Sequence, residues 1–501
     1  MSTGGARAGG IREVAPWLLQ TRRIFVTILA LGLFAMAARN VTDPDVWWHL
    51  RTGQLIVHNH AVFHADPYSF TRFGQSWVDH EWLSQILIFG VYRLAGWGGL
   101  IAGFGAAIAA AFVMVFLRCP GRPYVAGVIT LLGAFASAPC WGVRPQMLTL
   151  LLASIFLLIL ERSYQRPNLL WWTPALMLLW VNLHAGYALG IGLMALFLVG
   201  DALDAGFGLA SEEGSLTARV RVLALAIVAC LAVVPVNPYG MAMYAYPLET
   251  LRSPAMQSYI GEWLSPDFHQ PQYWPTMVMI VTTIALPALS PRRLRPREIL
   301  LLLVTTFAAL RSVRHIPIYA LVAIPILSAT VLACLRERRI TKLIELEHSS
   351  VTLAKASFNA ILLAAFLTFT VARVRFVTHR QSEAEVKELP VAAVSFIAAH
   401  QPPAPILNHY NWGGYFIWRL YPEYRVFIDG RADLYGDTFM DDLAATYYLR
   451  GDSWRSQFEK WGIQTVVLPP DAPLVVALRA RSNWKTIYAD SQAVVLTRGT
   501  E

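Results

Sequence analysis

The sequence predicts a mainly α-helical, polytopic membrane protein of about eleven transmembrane helices, followed by a small C-terminal extracytoplasmic α/β domain. Three observations carry that prediction. The 501 residues are 56% hydrophobic and only 15% charged, where soluble domains run near a quarter charged. Apolar stretches approaching the roughly 20 residues needed to cross a bilayer recur between residues 24 and 374. From about residue 385 the composition turns soluble, and short strand patterns alternate with helical ones.

The apolar stretches lie at about 24–39, 97–117, 124–141, 146–160, 169–183, 187–203, 220–236, 274–290, 298–312, 316–335 and 355–374. Residues 82–95 are also apolar and read as an interfacial segment or an extension of the second span. Basic clusters fall in alternate linkers: Arg12, Arg22 and Arg23; Arg118 and Arg122; Arg162 and Arg166; Arg219 and Arg221; Arg292, Arg293, Arg295 and Arg297; then Arg336, Arg338, Arg339 and Lys342. Loop charge of that kind orients a membrane protein, placing the N-terminus in the cytoplasm and the C-terminus outside. The net charge of +9 is spread over these linkers with no continuous basic face, which fits retention at the bilayer surface and argues against a nucleic-acid partner.

Residues 1–20 are expected to be a disordered cytoplasmic tail, 21–378 the transmembrane domain with outside loops 40–82 and 237–273, and 385–501 the soluble domain. In that last part 424–428, 464–468 and 493–497 read as strands, and 392–400 and 453–461 as helices. Cys119, Cys140, Cys230 and Cys334 lie in or beside apolar segments without a C-x-x-C pair, so inert thiols are expected rather than a zinc site or disulfide framework.

The outside linkers carry the polar chemistry. Asp43-Pro44-Asp45 sets two carboxylates one residue apart at a helix end, where they can hold a divalent cation or take a proton from a hydroxyl; a helix cap is the structural alternative. His49 follows one turn later, and the same loop closes on Asp79-His80-Glu81. Asn182 and His184 stand at the outer end of one span, Asn237 and Tyr239 after another, and Glu262 further along the same loop. Ionisable residues at membrane depth are costly, so several on one face point to a polar cavity, although His184 can equally be a packing residue and Asn237 a helix stop. Arg144, Arg311 and Arg314 run against the charge bias, and His315 follows the last of them; guanidinium groups match phosphate oxygens in bidentate fashion. Acids, arginines and aromatics at the lipid boundary suit a lipid-linked phosphate donor. No Walker A or G-x-G-x-x-G loop is present.

These blocks resemble a known family. Residues 43–53, Asp79-His80-Glu81-Trp82, Asn182-Leu183-His184, Asn237-Pro238-Tyr239-Gly240, Glu262-Trp263-Leu264-Ser265-Pro266-Asp267 and Arg311-Ser312-Val313-Arg314-His315 are similar to those of GT-C superfamily membrane glycosyltransferases, within a bacterial group of that superfamily. Asn411-Trp412-Gly413-Gly414-Tyr415 and residues 427–436 extend the resemblance into the last domain. It implies a bacterial inner-membrane enzyme that transfers a sugar, with inversion, from a polyprenyl-phosphate donor to an extracytoplasmic acceptor. Asp45 is then the first choice for the base, supported by Asp43, His49 and Glu81, with Asp43 and Asp45 as ligands should Mg or Mn take part. Arg314, with Arg311 or Arg144, would hold the phosphate, and His80, Asn182, His184, Asn237, Tyr239, Glu262 and His315 would line the substrate site. The family's second acidic motif has no clean match here, which leaves metal use open. The competing classes are a lipid-linked sugar transporter or flippase and a non-catalytic assembly protein of the same shape. In the last domain, Gly413, Gly414 and Gly430 read as tight turns and Asp429–Arg431 as an internal ion pair, against acceptor recognition or a lid.

Overall fold

Every one of the eleven apolar stretches is helical. The computed structural model describes residues 21–120, 123–208, 213–340 and 352–499; the expected tail 1–20, and Arg122 and Lys342 of the charge pattern, lie outside the described residues. In chain order the helices are α1 Thr21–Ala37, α2 Val46–Asn59, α3 Trp82–Arg118, α4 Pro123–Ser137, α5 Gln146–Arg162, α6 Thr173–Leu183 and α7 Tyr187–Gly206. Then come α8 Glu213–Val233, α9 Ala242–Arg252, α10 Pro254–Tyr259, α11 Trp274–Leu289, α12 Pro296–Arg311, α13 Ile316–Glu337 and α14 Leu353–His379. Among the described residues five helices are long and apolar enough to cross a membrane: Trp82–Arg118, Pro123–Cys140, Tyr187–Gly206, Val313–Glu337 and Leu353–His379. Helices α1, α5, α6, α11 and α12 have 11 to 17 residues, below the roughly 20 that span the hydrocarbon layer.

Local chemistry sets several boundaries. Pro296 opens α12 at a position whose N–H would have no helical partner, and the Glu298 carboxylate accepts the Arg295 N–H at 3.0 Å. Residues 82–95 extend the second span, as one of the two expectations had it, but with a kink. Gly96 sits at φ 58°, ψ −153° inside α3, a conformation open to glycine and hardly to others. The end of the bundle away from the polar loops is tied by ions. Arg118 pairs with Glu161 at 2.7 Å and donates to the Leu321 carbonyl at 2.8 Å. Arg219, 1% exposed, pairs with Asp201, which also takes Arg297 at 3.4 Å. Three arginines that read as leaflet charges in the sequence therefore also lock helices together, because their partners, Glu161 and Asp201, lie on neighbouring helices.

The C-terminal part adds α15 Gln381–Glu388, α16 Val391–His400, β1 Ile406–Asn408, α17 Gly413–Leu420, α18 Ala432–Tyr435 and α19 Asp437–Tyr447. It ends with α20 Ser453–Trp461, β2 Thr465–Leu468, α21 Pro473–Arg479, β3 Trp484–Ala489 and β4 Val494–Arg498. The sheet order is β1-β2-β4-β3, with β1 parallel to β2 and the other pairs antiparallel. Strands expected at 464–468 and 493–497 are present as β2 and β4. The segment 424–428 is extended but outside the sheet: Val426 N–H donates to the Tyr68 carbonyl at 3.0 Å, and Phe70 N–H donates to that of Val426 at 3.1 Å. Its alternating apolar pattern was satisfied by pairing with the first loop instead of a strand. Two apolar clusters bind this part to the rest. One joins Trp47, Trp48, Tyr68 and Trp77 to Trp412, Tyr415, Phe416 and Val426. The other takes Ala255 and Met256 of α10 into a core with Phe427, Phe439 and Val466.

Candidate functional site

The site begins at the turn into α2. Pro44 lets the chain fold so that Asp43 Oδ1 accepts the Asp45 N–H at 2.8 Å. Asp45 precedes α2 but its side chain makes no cap bond; Oδ1 accepts from the Trp48 indole at 3.0 Å instead. The helix-cap alternative is thus not the use made of Asp45. Arg144, in the turn before α5, lies between two acids, its Nε on Asp43 and Nη2 on Glu262 at 2.6 Å. Burial and then the neighbouring Asp43 charge push the Asp45 carboxyl up to about 7, against the pull of Arg144 and Trp48. Asp43 is also raised by burial, although Arg144 opposes this. In Glu262 burial is outweighed by Arg144 and Arg314, and its pKa falls.

Beside these groups Glu81 is enclosed by three imidazoles. His49 Nε2 lies 3.4 Å, His80 Nε2 3.4 Å and His184 Nε2 3.3 Å from its carboxylate oxygens. His49 comes one turn into α2, His80 and Glu81 immediately precede α3, and His184 ends α6. The His184 tautomer follows from its surroundings. Nδ1 accepts the Gly186 N–H at 2.9 Å and lies 2.9 Å from Thr149 Oγ1, which itself accepts from the Trp180 indole at 2.9 Å. Thr149 therefore donates to Nδ1, and Nε2 carries the proton toward Glu81. Burial depresses His49 to about 4 and His184 to about 3, against the pull of Glu81. For His80, burial is outweighed by Glu81 and Asp433, so its pKa rises. Burial would raise Glu81, yet His80 and His49 hold it well below the usual carboxylate range. Glu81 is thus a charge anchor and a poor proton acceptor, while Asp45 titrates where a base must. Nearby Asp79 is pushed up to about 7 by burial, its Oδ2 without a partner among the described residues.

The other sequence-selected residues divide. Arg314 lies over the Trp263 ring at 5.1 Å and has no ion pair or hydrogen bond to its guanidinium among the described residues, so this cation is open. Arg144 is committed to Asp43 and Glu262. Arg311 is exposed and donates to Gln257 at 2.8 Å, away from the acid cluster. Asn182 spends its amide on the Leu178 and Val236 carbonyls and the Trp82 indole, at 2.9, 3.0 and 3.1 Å. Asn237 donates to the Val181 carbonyl at 3.0 Å and accepts the Tyr239 N–H at 3.0 Å, and the Tyr239 hydroxyl donates to the Phe63 carbonyl. Those three tie helix ends together. His315 is depressed by burial, and its Nδ1 has no partner among the described residues.

Four participants were not anticipated. The His80 ring packs 4.4 Å from that of Tyr246, whose hydroxyl donates to Asp433 at 2.9 Å. Gly430 covers Asp45: a Cβ built there would lie 2.9 Å from Asp45 Cγ and overlap Oδ1. Tyr410 donates to the Gly430 carbonyl at 3.3 Å. Neither Gly413, Gly414 nor Gly430 has a positive φ. Their expected role in tight turns gives way to close approach, with Gly414 against the Pro44 carbonyl and Gly413 against that of Ile428. The Asp429–Arg431 pair is present at 2.7 Å. A contact between residues nearly 400 positions apart leaves no mark on local spacing.

Most of the donor atoms a cation would use are already engaged, Asp45 Oδ2 apart. Asp43 has one oxygen on the Asp45 amide and the other on Arg144, and Asp45 Oδ1 is on Trp48. His80, Glu81 and His184 bring ligand-type atoms within 4.8 Å of one another, but the protonated Nε2 of His184 cannot ligate in this tautomer. The four cysteines are free.

No family model and no curated protein matches the chain in sequence. Solved structures do match in fold. The archaeal oligosaccharyltransferase AglB from Archaeoglobus fulgidus, in complex with an inhibitory peptide and a dolichol-phosphate, superposes with a TM-score of 0.55 at 11% identity. That match covers 90% of this chain and 70% of the other. The apo oligosaccharyltransferase of the same organism gives 0.52 at 11% identity over the same shares. A weaker likeness, 0.48 at 15% identity over 94% and 97%, is to ArnT from Cupriavidus metallidurans bound to undecaprenyl phosphate. The chain is a mainly helical membrane protein whose fold is similar to that of these archaeal oligosaccharyltransferase structures.

Proposed function

We propose that the chain transfers a sugar, with inversion, from a polyprenyl-phosphate donor to an acceptor hydroxyl, on the face carrying loops 40–82 and 237–273. The observation that carries this reading is an acid cluster in which burial and Asp43 push the Asp45 carboxyl up to about 7, while Arg314, without an ion pair of its own among the described residues, acts on Glu262 of the same cluster. The dolichol-phosphate in the AglB structure supports a lipid-phosphate donor. The acceptor oxygen attacks the anomeric carbon, its proton passes to Asp45, and the bond from that carbon to the phosphate oxygen breaks. Arg314 holds the departing phosphate, where a fixed charge in a dry site is most effective. Arg144 keeps Asp43 and Glu262 in place, and Glu81 orients the histidines. No step passes through a metal. The loop face is taken as extracytoplasmic in a bacterial inner membrane, and residues 385–501 as its soluble domain; the basic linkers lie at the other end.

Purified protein in lipid nanodiscs, given a labelled polyprenyl-phosphate sugar and an alcohol acceptor, tests the reaction. Asp45→Asn is expected to lower transfer by about 10²–10⁴-fold, the usual contribution of a general base. Full transfer by Asp45→Asn would remove the base assignment, and donor crossing vesicles unconsumed would turn the reading into transport.

A further inference from the structure

The turn Asp429-Gly430-Arg431 belongs to the C-terminal part of the chain, yet Arg431 ties it to the first loop. Arg431, 2% exposed, pairs with Asp429 at 2.7 Å and with Asp66 of the first loop at 2.8 Å. Its guanidinium also lies over the rings of Trp77 at 4.6 Å and Tyr68 at 5.1 Å. Tyr435 donates to the second oxygen of Asp429 at 2.8 Å. Asp66 is in turn held by the Tyr68 and Ser69 amides at 3.0 Å each. Asp429, Asp66 and Arg431 are all buried, so breaking one partner would strand a charge, and Gly430 has little freedom to shift.

Between those anchors Gly430 lies on Asp45 with no room for a side chain, and Gly414 lies on the Pro44 carbonyl, its absent Cβ 3.3 Å from Trp48 Cδ1. Asp45 cannot simply swing aside, because its Oδ1 is held by the Trp48 indole at 3.0 Å. We infer that the Asp429-Gly430-Arg431 turn is a positioning element that fixes the Asp45 carboxylate, so that the C-terminal part completes the site. The placement stands on packing alone; its consequence for transfer rests on the function proposed above.

A thermal double-mutant cycle on the full chain in detergent tests the placement without any substrate. Gly430→Ala should lower the unfolding midpoint by several degrees when Asp45 is present and by far less in an Asp45→Ala background, since removing the carboxylate makes the space. Equal costs in both backgrounds, or no cost in either, would overturn the inference. Should Gly430→Ala not fold, recovery of folded protein on adding Asp45→Ala supports the inference, and failure to recover counts against it. In transfer assays Gly430→Ala should lower kcat by about 10²-fold, the effect of a small misplacement, while donor KM stays near wild type. An unchanged kcat alongside thermal coupling would separate the packing role from the catalytic one. A wild-type chain that transfers no sugar would refute the functional reading while the cycle still decides the placement.

Discussion

Replacing Arg144 by Gln should destabilise the protein in a pH-dependent way. Arg144 spans Asp43 and Glu262 and acts on Asp45. Without it, acids with little access to water lose their main counter-charge, a change that costs about 3–5 kcal/mol when a buried pair is broken. The sign of the pH dependence follows from proton binding. Removing Arg144 raises the folded-state pKa values of Asp43 and Glu262 above their unfolded ones, so the folded protein binds more protons between about pH 4 and the new values. The deficit is then largest at pH 8 and shrinks toward pH 5.5, by about 1.4 kcal/mol for each pKa unit gained within that window. Asp45, already titrating at about 7, protonates in both proteins and contributes less to the difference. Unfolding midpoints of wild type and Arg144→Gln in one detergent, at pH 5.5 and pH 8, give the comparison. A deficit that is the same at both pH values, or larger at the acid one, would refute this account of the acid cluster.

Transfer by the wild type should rise with pH through about 7 as Asp45 loses its proton. Asp43→Asn removes a neighbouring like charge and frees Arg144 for Asp45, so this limb should move down by roughly one to two units, like charges a few ångströms apart at an effective dielectric near 20 repelling by about 3 kcal/mol; pH profiles of kcat/KM would show it. Arg314→Ala should raise donor KM by about tenfold or more while leaving the unfolding midpoint nearly unchanged, because no ion pair is lost; affinity for a soluble polyprenyl-phosphate analogue is the direct check, a charge-assisted contact being worth about 1.5–3 kcal/mol. Chelator treatment, followed by Mg or Mn, should leave both transfer and unfolding midpoint unchanged, and a metal-restored activity would reopen Asp43 and Asp45 as ligands.

The helices were legible because a lipid-facing segment must be apolar over its whole length and must satisfy its backbone internally; every stretch from 24–39 to 355–374 is helical on that ground alone. The chemistry of the loops was legible as far as residue type allows: an acid out of place in an apolar chain demands a partner. Which partner was not. Arg144, Arg311 and Arg314 look alike in sequence, and only tertiary placement sends the first to Asp43 and Glu262, the second to Gln257 and the third over Trp263. Asn182, Asn237 and Tyr239 satisfied carbonyls exposed at helix ends, a need that any polar residue at a helix end can answer. The extended segment 424–428 had the right pattern for a strand, and the first loop competed successfully for its edge.

The charges of the site explain why two carboxylates so close together divide the work. Arg144 acts on Asp43, Arg144 and Arg314 on Glu262, and His80 and His49 on Glu81, whereas at Asp45 burial and the Asp43 charge outweigh Arg144. Burial raises that carboxyl to about 7, as it does Asp79. During the proposed transfer the acceptor proton neutralises Asp45 while the departing phosphate gains one negative charge beside Arg314. The total charge in the buried cluster is the same before and after, so the step carries no new net charge into a poorly solvated site, where the cost would be several kcal/mol. If Glu81 were the base instead, its protonation would leave three imidazoles around a neutral acid and lose the attraction that orients them. Glu81→Gln should accordingly leave the acid limb of the pH profile in place while lowering activity, whereas a limb that vanished with Glu81 and survived in Asp45→Asn would exchange the two roles.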